Sequence, residues 1–387
     1  MFRLSIAALS AAAATVAIAQ TTPPPSAPAP APAAEAPADV TVTRDEARAT
    51  ATELAQKLEE GYVFPDVAKR YAETLRRNAA AGAYDSLTSG IALAEKLTTD
   101  LRAVSPDNHL RVRVGQPMRR VAPPGGAGAP PAGAGAAERR MPMNPIDDQR
   151  LLAPGIAYIR FNGFMGTPEE VEAVRKFMSD NAGAKTIIFD NRTHGGGGLA
   201  EMDVIFPYLF AKETKLVTMD TRASIERARG NPLGDGPTLR KAVSSEDIAR
   251  RDHFAVPSAT EKRLFGAKVF VLTSGATASA AEHFTLSLKR TKRATIVGEP
   301  TAGAGHYGGV QRIGEKFSVF IPVGRTYDPD TGKGWEGGGI DPDVPVPAEQ
   351  ALTEALVRSG MTRAAAEAIS AEVKPTRPMT RRNPRPS

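Results

Sequence analysis

The sequence predicts an α/β protein: a largely parallel sheet with flanking helices, preceded by a small N-terminal helical domain. Three observations predict it. Between about Val40 and Val104 apolar residues return at helical spacing. Beyond residue 150, short β-branched runs alternate with amphipathic stretches, the signature of strand–helix units. Two of those runs end in small-residue segments, THGGGG and TSGATASAAEHF, that lead into helices. In open α/β sheets, functional groups collect just beyond the C-terminal ends of strands.

Taken in order, the chain opens with MFRLSIAALSAAAATVAIAQ. Arg3, an apolar stretch and the small residues at Ala17 and Ala19 fit a secretory signal peptide over 1–19. Residues 20–39 form a Pro/Ala linker, which stays extended and buries little. Three helices are predicted in the domain 40–105: one from Arg44, one over VAKRYAETLRRNAAAG and one over SGIALAEKLTTDLRAV. The core is predicted over 106–347. It starts with a strand in which Leu110, Val112 and Val114 alternate with arginines, and it carries a low-complexity loop over 117–148. Strands are then expected at GIAYIRFNGF, KTIIFDNR, KLVTMDTR, AKVFVLTSG, RATIVGEPT and FSVFIPVGRTY, with helices between them. Thr167 is the expected cap of TPEEVEAVRKFMSD. A C-terminal helix is predicted over 348–373, then a basic, solvated tail over 374–387.

Charge and composition narrow the function. The formal net charge is +6, but Arg3 and five basic residues of the last segment carry it, so the body is near neutral. A near-neutral body without aromatic residues interleaved among basic ones argues against a nucleic-acid partner. With no cysteine, disulfides and thiolate metal sites are excluded. No metal and no cofactor are expected. After signal cleavage no transmembrane segment remains, and a homo-oligomer is left open.

Ser279 has two readings. Ser-x-x-Glu with Glu282 matches a capping box. A serine among Ala276, Ala278, Ala280 and Ala281 at a helix start also sits where backbone N–H groups favour developing negative charge. The glycines after Thr193 permit backbone angles other residues resist and let N–H groups approach a ligand. Without a following Lys-Ser/Thr they are not a phosphate loop. A nucleophilic serine needs a base. Of the histidines, His253 in RRDHF reads as solvated, and His283 as a surface or core residue of the serine's own helix. Spacing does not choose among His109, His194 and His306.

The ordered segments DNHLRVRV, IIFDNRTHGGGG, VFVLTSGATASAAEHF, ATIVGEPTAGAG and GWEGGGIDPDVPV resemble the tail-specific (C-terminal processing) serine peptidases. The likeness is greatest to the branch of interphotoreceptor retinoid-binding protein and the tricorn core, and it runs from about Val40 to Pro347. It implies a crotonase/ClpP-like core sheet with Ser279 as nucleophile. It also implies an oxyanion hole from the N–H groups of Gly196, with Gly195 as a second candidate, and of Ala280. Ala304 stands where the bacterial-type members carry a catalytic lysine, so no Ser–Lys dyad can form there. The resemblance instead implies His109 as base with Glu336 orienting it. Asn108 replaces the second serine of the tricorn site, and Glu282 supports the serine turn. Fewer than forty residues separate Val114 from Leu151, too few for a PDZ domain. The expected function is an exported, periplasmic or extracellular serine-type endopeptidase acting on peptide or protein substrates. The alternatives are a non-catalytic binding module for an apolar ligand or peptide, and a crotonase-like acyl-CoA enzyme, against which the export signal argues.

Overall fold

The computed structural model describes residues 39–107, 109–115 and 144–380. The expected signal peptide, almost all of the linker, Asn108, most of the low-complexity loop and the end of the basic tail lie outside them.

The chain begins with helices α1 (Arg44–Gly61), α2 (Pro65–Ala80) and α3 (Gly90–Val104). Thr43 and Glu46 form a reciprocal capping box that starts α1. Pro65 opens α2 where its missing N–H costs nothing. Strands β1 (Val112–Val114), β2 (Ile146–Ala153) and β3 (Ile156–Phe161) follow, then α4 (Pro168–Asp180), capped by Thr167. Next come β4 (Thr186–Asp190), α5 (Ala200–Leu209), β5 (Thr214–Arg222), α6 (Ala223–Arg229), β6 (Leu239–Lys241) and β7 (Ile248–Ala255). The last part holds β8 (Lys268–Thr273), α7 (Ala280–Arg290), β9 (Thr295–Gly298), β10 (His306–Ile313), β11 (Phe317–Tyr327), β12 (Val344–Pro345), α8 (Ala351–Arg358) and α9 (Arg363–Glu372).

The strands form two sheets rather than the one largely parallel sheet expected. One has the order β12-β9-β8-β4-β3-β2 and is parallel except for β2. The other is antiparallel, in the order β1-β11-β5-β7-β6, with β10 also paired to β11. KLVTMDTR and FSVFIPVGRTY, expected in the parallel sheet, belong to this second one. The charged run of β7 and the paired glycines of β10 hide its strand period. His253, expected in solvent, is fully buried on β7 because its alternate side chains face inward.

Each sheet has its own core. The parallel sheet packs one face on α4, α5 and α7 through Phe161, Phe164, Phe189, Phe206 and Phe284. The Phe284 ring meets Phe189 edge-on at 5.2 Å and stacks on Phe206 at 5.4 Å, which fixes α7 one turn beyond Ser279. The other face packs on α8 and α9. These two helices replace the single C-terminal helix expected. Gly360, at φ +105°, ends the first and Thr362 caps the second. The inner faces of α1–α3 share one core with β1, β10 and β11 through Leu54, Leu97, Leu110, Phe317 and Ile321. The low-complexity stretch gives way to β2 at Ile146, earlier than the expected loop end at 148.

Candidate functional site

The strands β4 and β8 lie side by side and end in the two segments singled out from the sequence. The loops that follow them are laced together. The Thr277 hydroxyl donates to the Asn191 carbonyl at 2.8 Å, the Ser274 hydroxyl to the Arg192 carbonyl at 2.5 Å, and the Ala278 N–H to the His194 carbonyl at 3.0 Å. Below them Arg192, 2% exposed, makes a two-pronged ion pair with fully buried Asp190 at 2.6 and 2.8 Å and donates to the Ala348 carbonyl. Burial opposes the charge of Asp190, but Arg192 outweighs it and holds the carboxyl below its usual range.

Ser279 sits at φ 57° and ψ −117°, backbone angles that L-residues avoid. Its side chain makes no cap hydrogen bond, so the capping box is only half built. Glu282 Oε2 accepts the Ser279 N–H at 2.8 Å, while the Glu282 N–H goes to the Ser279 carbonyl. The hydroxyl is left for other work. Ala280 is the first residue of α7, so its N–H precedes the intrahelical hydrogen bonds. Gly196, at φ +111°, lies against the serine: a Cβ there would sit 2.8 Å from Ser279 Cβ and 3.2 Å from Oγ. Only glycine fits.

Of the expected oxyanion donors, the two glycine N–H groups are already engaged. The Gly195 N–H donates to the Asn162 carbonyl at 3.0 Å, and the Gly196 N–H to His194 Nδ1 at 3.0 Å. His194 is wholly buried and packs edge-on to Phe164 at 4.3 Å. Burial drives its pKa down to about 3, and its Nε2 has no hydrogen-bond partner among the described residues.

Glu282 is fully buried. Its carboxylate accepts from the Ser279, Gly303 and Ala304 N–H groups and the Thr301 hydroxyl, at 2.6–2.8 Å. Burial raises its pKa to about 7 against the pull of those four donors. Ala304 thus contributes a backbone N–H and no side-chain base. The next two residues of the same turn serve a second carboxylate: the Gly305 and His306 N–H groups donate to Glu336 Oε2 at 2.8 and 3.0 Å. Glu336 Oε1 meets His109 Nδ1 at 3.0 Å. Burial works against the charge of His109, but Glu336, Asp107 and Glu282 together hold its pKa above the usual histidine value.

Among the three histidines that spacing could not separate, geometry distinguishes clearly. His109 pairs with Glu336, His194 accepts from the glycine loop, and His306 Nδ1 lies 3.2 Å from Asp107 Oδ2. Asp107 and His306 form a second pair that the sequence reading did not assign. Asp107 is 3% exposed, accepts the His109 and Leu110 N–H groups on Oδ1, and takes the Tyr62 hydroxyl on Oδ2 at 2.9 Å. Its signal in the sequence was its place two residues before His109. His283 belongs to a hydrogen-bonded chain elsewhere, Asp203–His253–His283, with both links at 2.9 Å. Among the described residues no hydrogen bond joins the Ser279 hydroxyl to His109, and Asn108 lies outside the described residues. Taken together, a strained serine at a helix start, a glycine loop against it and a histidine–carboxylate pair are the parts that serine-type acyl transfer requires.

Residues 155–346 match peptidase family S41, and residues 32–141 match the N-terminal domain of that family in eukaryotic IRBP. The chain belongs to peptidase family S41. It is 24% identical over 217 residues to the chloroplastic carboxyl-terminal-processing peptidase 2 of Arabidopsis thaliana, a match that covers 54% of this chain and 36% of that protein. The chain therefore spans about a third of that curated relative. Among solved structures, it is similar to a photosystem II D1 C-terminal processing protease, with a TM-score of 0.53 at 15% identity over 84% of this chain and 97% of the other. It is also similar to a candidate peptidase from Parabacteroides merdae, with a TM-score of 0.50 at 17% identity over 84% and 96%. At these identities the likeness concerns the fold.

Proposed function

We propose that the chain is an exported serine-type endopeptidase that works through Ser279 and His109. The observation that carries the reading is the 3.0 Å contact of His109 Nδ1 with Glu336, which leaves Nε2 as the nitrogen available for proton transfer. In this mechanism Ser279 Oγ attacks the peptide carbonyl as His109 takes its proton. The imidazolium then gives that proton to the leaving amine, and Glu336 stabilises it in between. The Ala280 N–H receives the developing oxyanion, and the helix start adds to its field. The Gly196 N–H joins once it turns from His194 Nδ1. The Ser279 strain keeps the hydroxyl clear of the helix, as in nucleophile elbows.

The relatives' names support a protein substrate. The signal-like N-terminus supports passage across a membrane to a periplasmic or extracellular site. No helix among the described residues is long and apolar enough to cross a membrane.

Two observations favour the binding-module reading: the Gly196 N–H is engaged by His194, and among the described residues the Ser279 hydroxyl is not joined to His109. Catalytic hydrogen bonds often tighten only when substrate is bound. Incubating wild type and Ser279→Ala with a peptide library, and reading cleavages by mass spectrometry, separates the two. Wild type is expected to cleave peptides and react with a serine-directed phosphonate. Ser279→Ala should lose both, by on the order of 10⁴-fold or more in kcat/KM, with its fold intact. Cleavage that survives the substitution would sink the peptidase reading. A wild type inert to substrate and phosphonate, yet binding apolar ligands, would establish the alternative.

A further inference from the structure

The sequence called for no metal, yet the fold gathers two imidazoles and two carboxylates around one point beside the serine turn. Asp107, His109, His306 and Glu336 each offer one ligand atom, all within 4.8 Å of one another. His109 Nδ1 is 3.0 Å from Glu336 Oε1 and 3.9 Å from Asp107 Oδ1. His306 Nδ1 is 3.2 Å from Asp107 Oδ2 and 3.8 Å from Glu336 Oε2. Ligands of a tetrahedral zinc ion at ~2.0–2.1 Å stand about 3.3 Å from each other, so four groups whose ligand atoms lie within 4.8 Å need only small side-chain shifts to close on one ion. Resting on the reading of His109 as base, we propose that this cluster is an inhibitory site for a divalent transition ion of the zinc class.

Three features favour it. The ligand set is two imidazole nitrogens and two carboxylates, which suits zinc and its neighbours and not magnesium or calcium. The contacts that orient metal ligands are already in place. Tyr62 holds Asp107, and the Gly305 and His306 N–H groups hold Glu336 on Oε2, leaving Oε1 toward His109. The cluster is also open to solvent, with the His109 side chain 25% exposed.

The consequence for chemistry follows from tautomers. An ion on His109 Nδ1 takes the place of the proton shared with Glu336, and that proton passes by way of solvent to Nε2. The coordinated imidazole, still neutral, then carries its one proton on Nε2. That is the atom that must accept the serine proton, so the base is switched off while Ser279 is untouched. Four protein ligands fill the coordination shell and leave no open position for a metal-bound water.

The test uses the purified full chain. Zinc binding is measured by calorimetry, cobalt binding by the visible absorption of a four-coordinate ion, and peptidase activity with and without each ion. Wild type is expected to bind one zinc per chain, to lose at least tenfold in activity, and to recover with a chelator; calcium and magnesium should do neither. His306→Gln, with His306→Ala as a second variant, should bind zinc at least about tenfold more weakly. No zinc binding by wild type, or unchanged affinity in both His306 variants, overturns the proposal. An active chain indifferent to zinc removes the metal site and leaves the peptidase reading standing. A chain that cleaves nothing but binds zinc through His306 does the reverse.

Discussion

The two halves of the molecule present their polar groups in different ways. On the parallel-sheet side, Ser279, Glu282 and Gly196 are fixed largely by backbone hydrogen bonds and by the buried Asp190–Arg192 pair. On the antiparallel side, the His109 and His306 rings are tied by carboxylates. Non-glycine residues with positive φ among those described, Ser279 and Lys292, flank the helix of the parallel half. The difference teaches that strain and rigidity are stored with the serine, while the histidines sit on ligand-like contacts that a proton or an ion can exchange.

Asp190→Ala should give the largest effect. It leaves the Arg192 guanidinium buried and uncompensated under both loops, and ~3–5 kcal/mol of stability should be lost in denaturant titrations. A loss under 1 kcal/mol would break the claim that this pair anchors the serine side.

The acid limb of stability comes next. His194 has a folded pKa of about 3, below its unfolded value near 6.5, so the unfolded chain takes up a proton that the folded chain refuses. Its contribution is full above pH 6.5 and is lost as pH falls toward 3. Between pH 7 and pH 5 this amounts to about 2 kcal/mol. His194→Asn should flatten that part of the pH–stability curve, as chemical unfolding at the two pH values would reveal. An unchanged slope would mean that the buried imidazole does not resist protonation.

The smallest effect sharpens the point about strain. Ser279→Gly should stabilise the fold by about 1 kcal/mol, because glycine accepts φ 57° and ψ −117° freely, while removing the hydroxyl. A thermal melt reads this directly. A destabilised variant would show that the hydroxyl's contacts outweigh the backbone cost.

Much of the fold was legible in the sequence where a simple period survived. The helices from Arg44 to Val104 and the buried strand at Thr186–Asp190 announce themselves. The antiparallel sheet did not, because β7 interrupts its apolar alternation with charge and β10 with glycine, and because β1 and β5 pair with β11 over long separations. Within the site, Ser279 and the glycine loop could be found because each ends a clear strand. Local pattern could not separate His109, His194 and His306, since their roles are set by Glu336, Gly196 and Asp107, brought together only by the fold. The resemblance to the family named His109 and Glu336 but passed over Asp107 and His306.

The turn Thr301–His306 acts as a mechanical coupling. Two of its amides face the carboxylate behind the serine, and the next two face the carboxylate behind the histidine. A displacement of this one peptide segment slackens both sides of the site together, so neither can be detuned alone through it. Ser279 and His109 are thereby tied to one shared stretch of main chain, whose amides remain whatever side chains it carries.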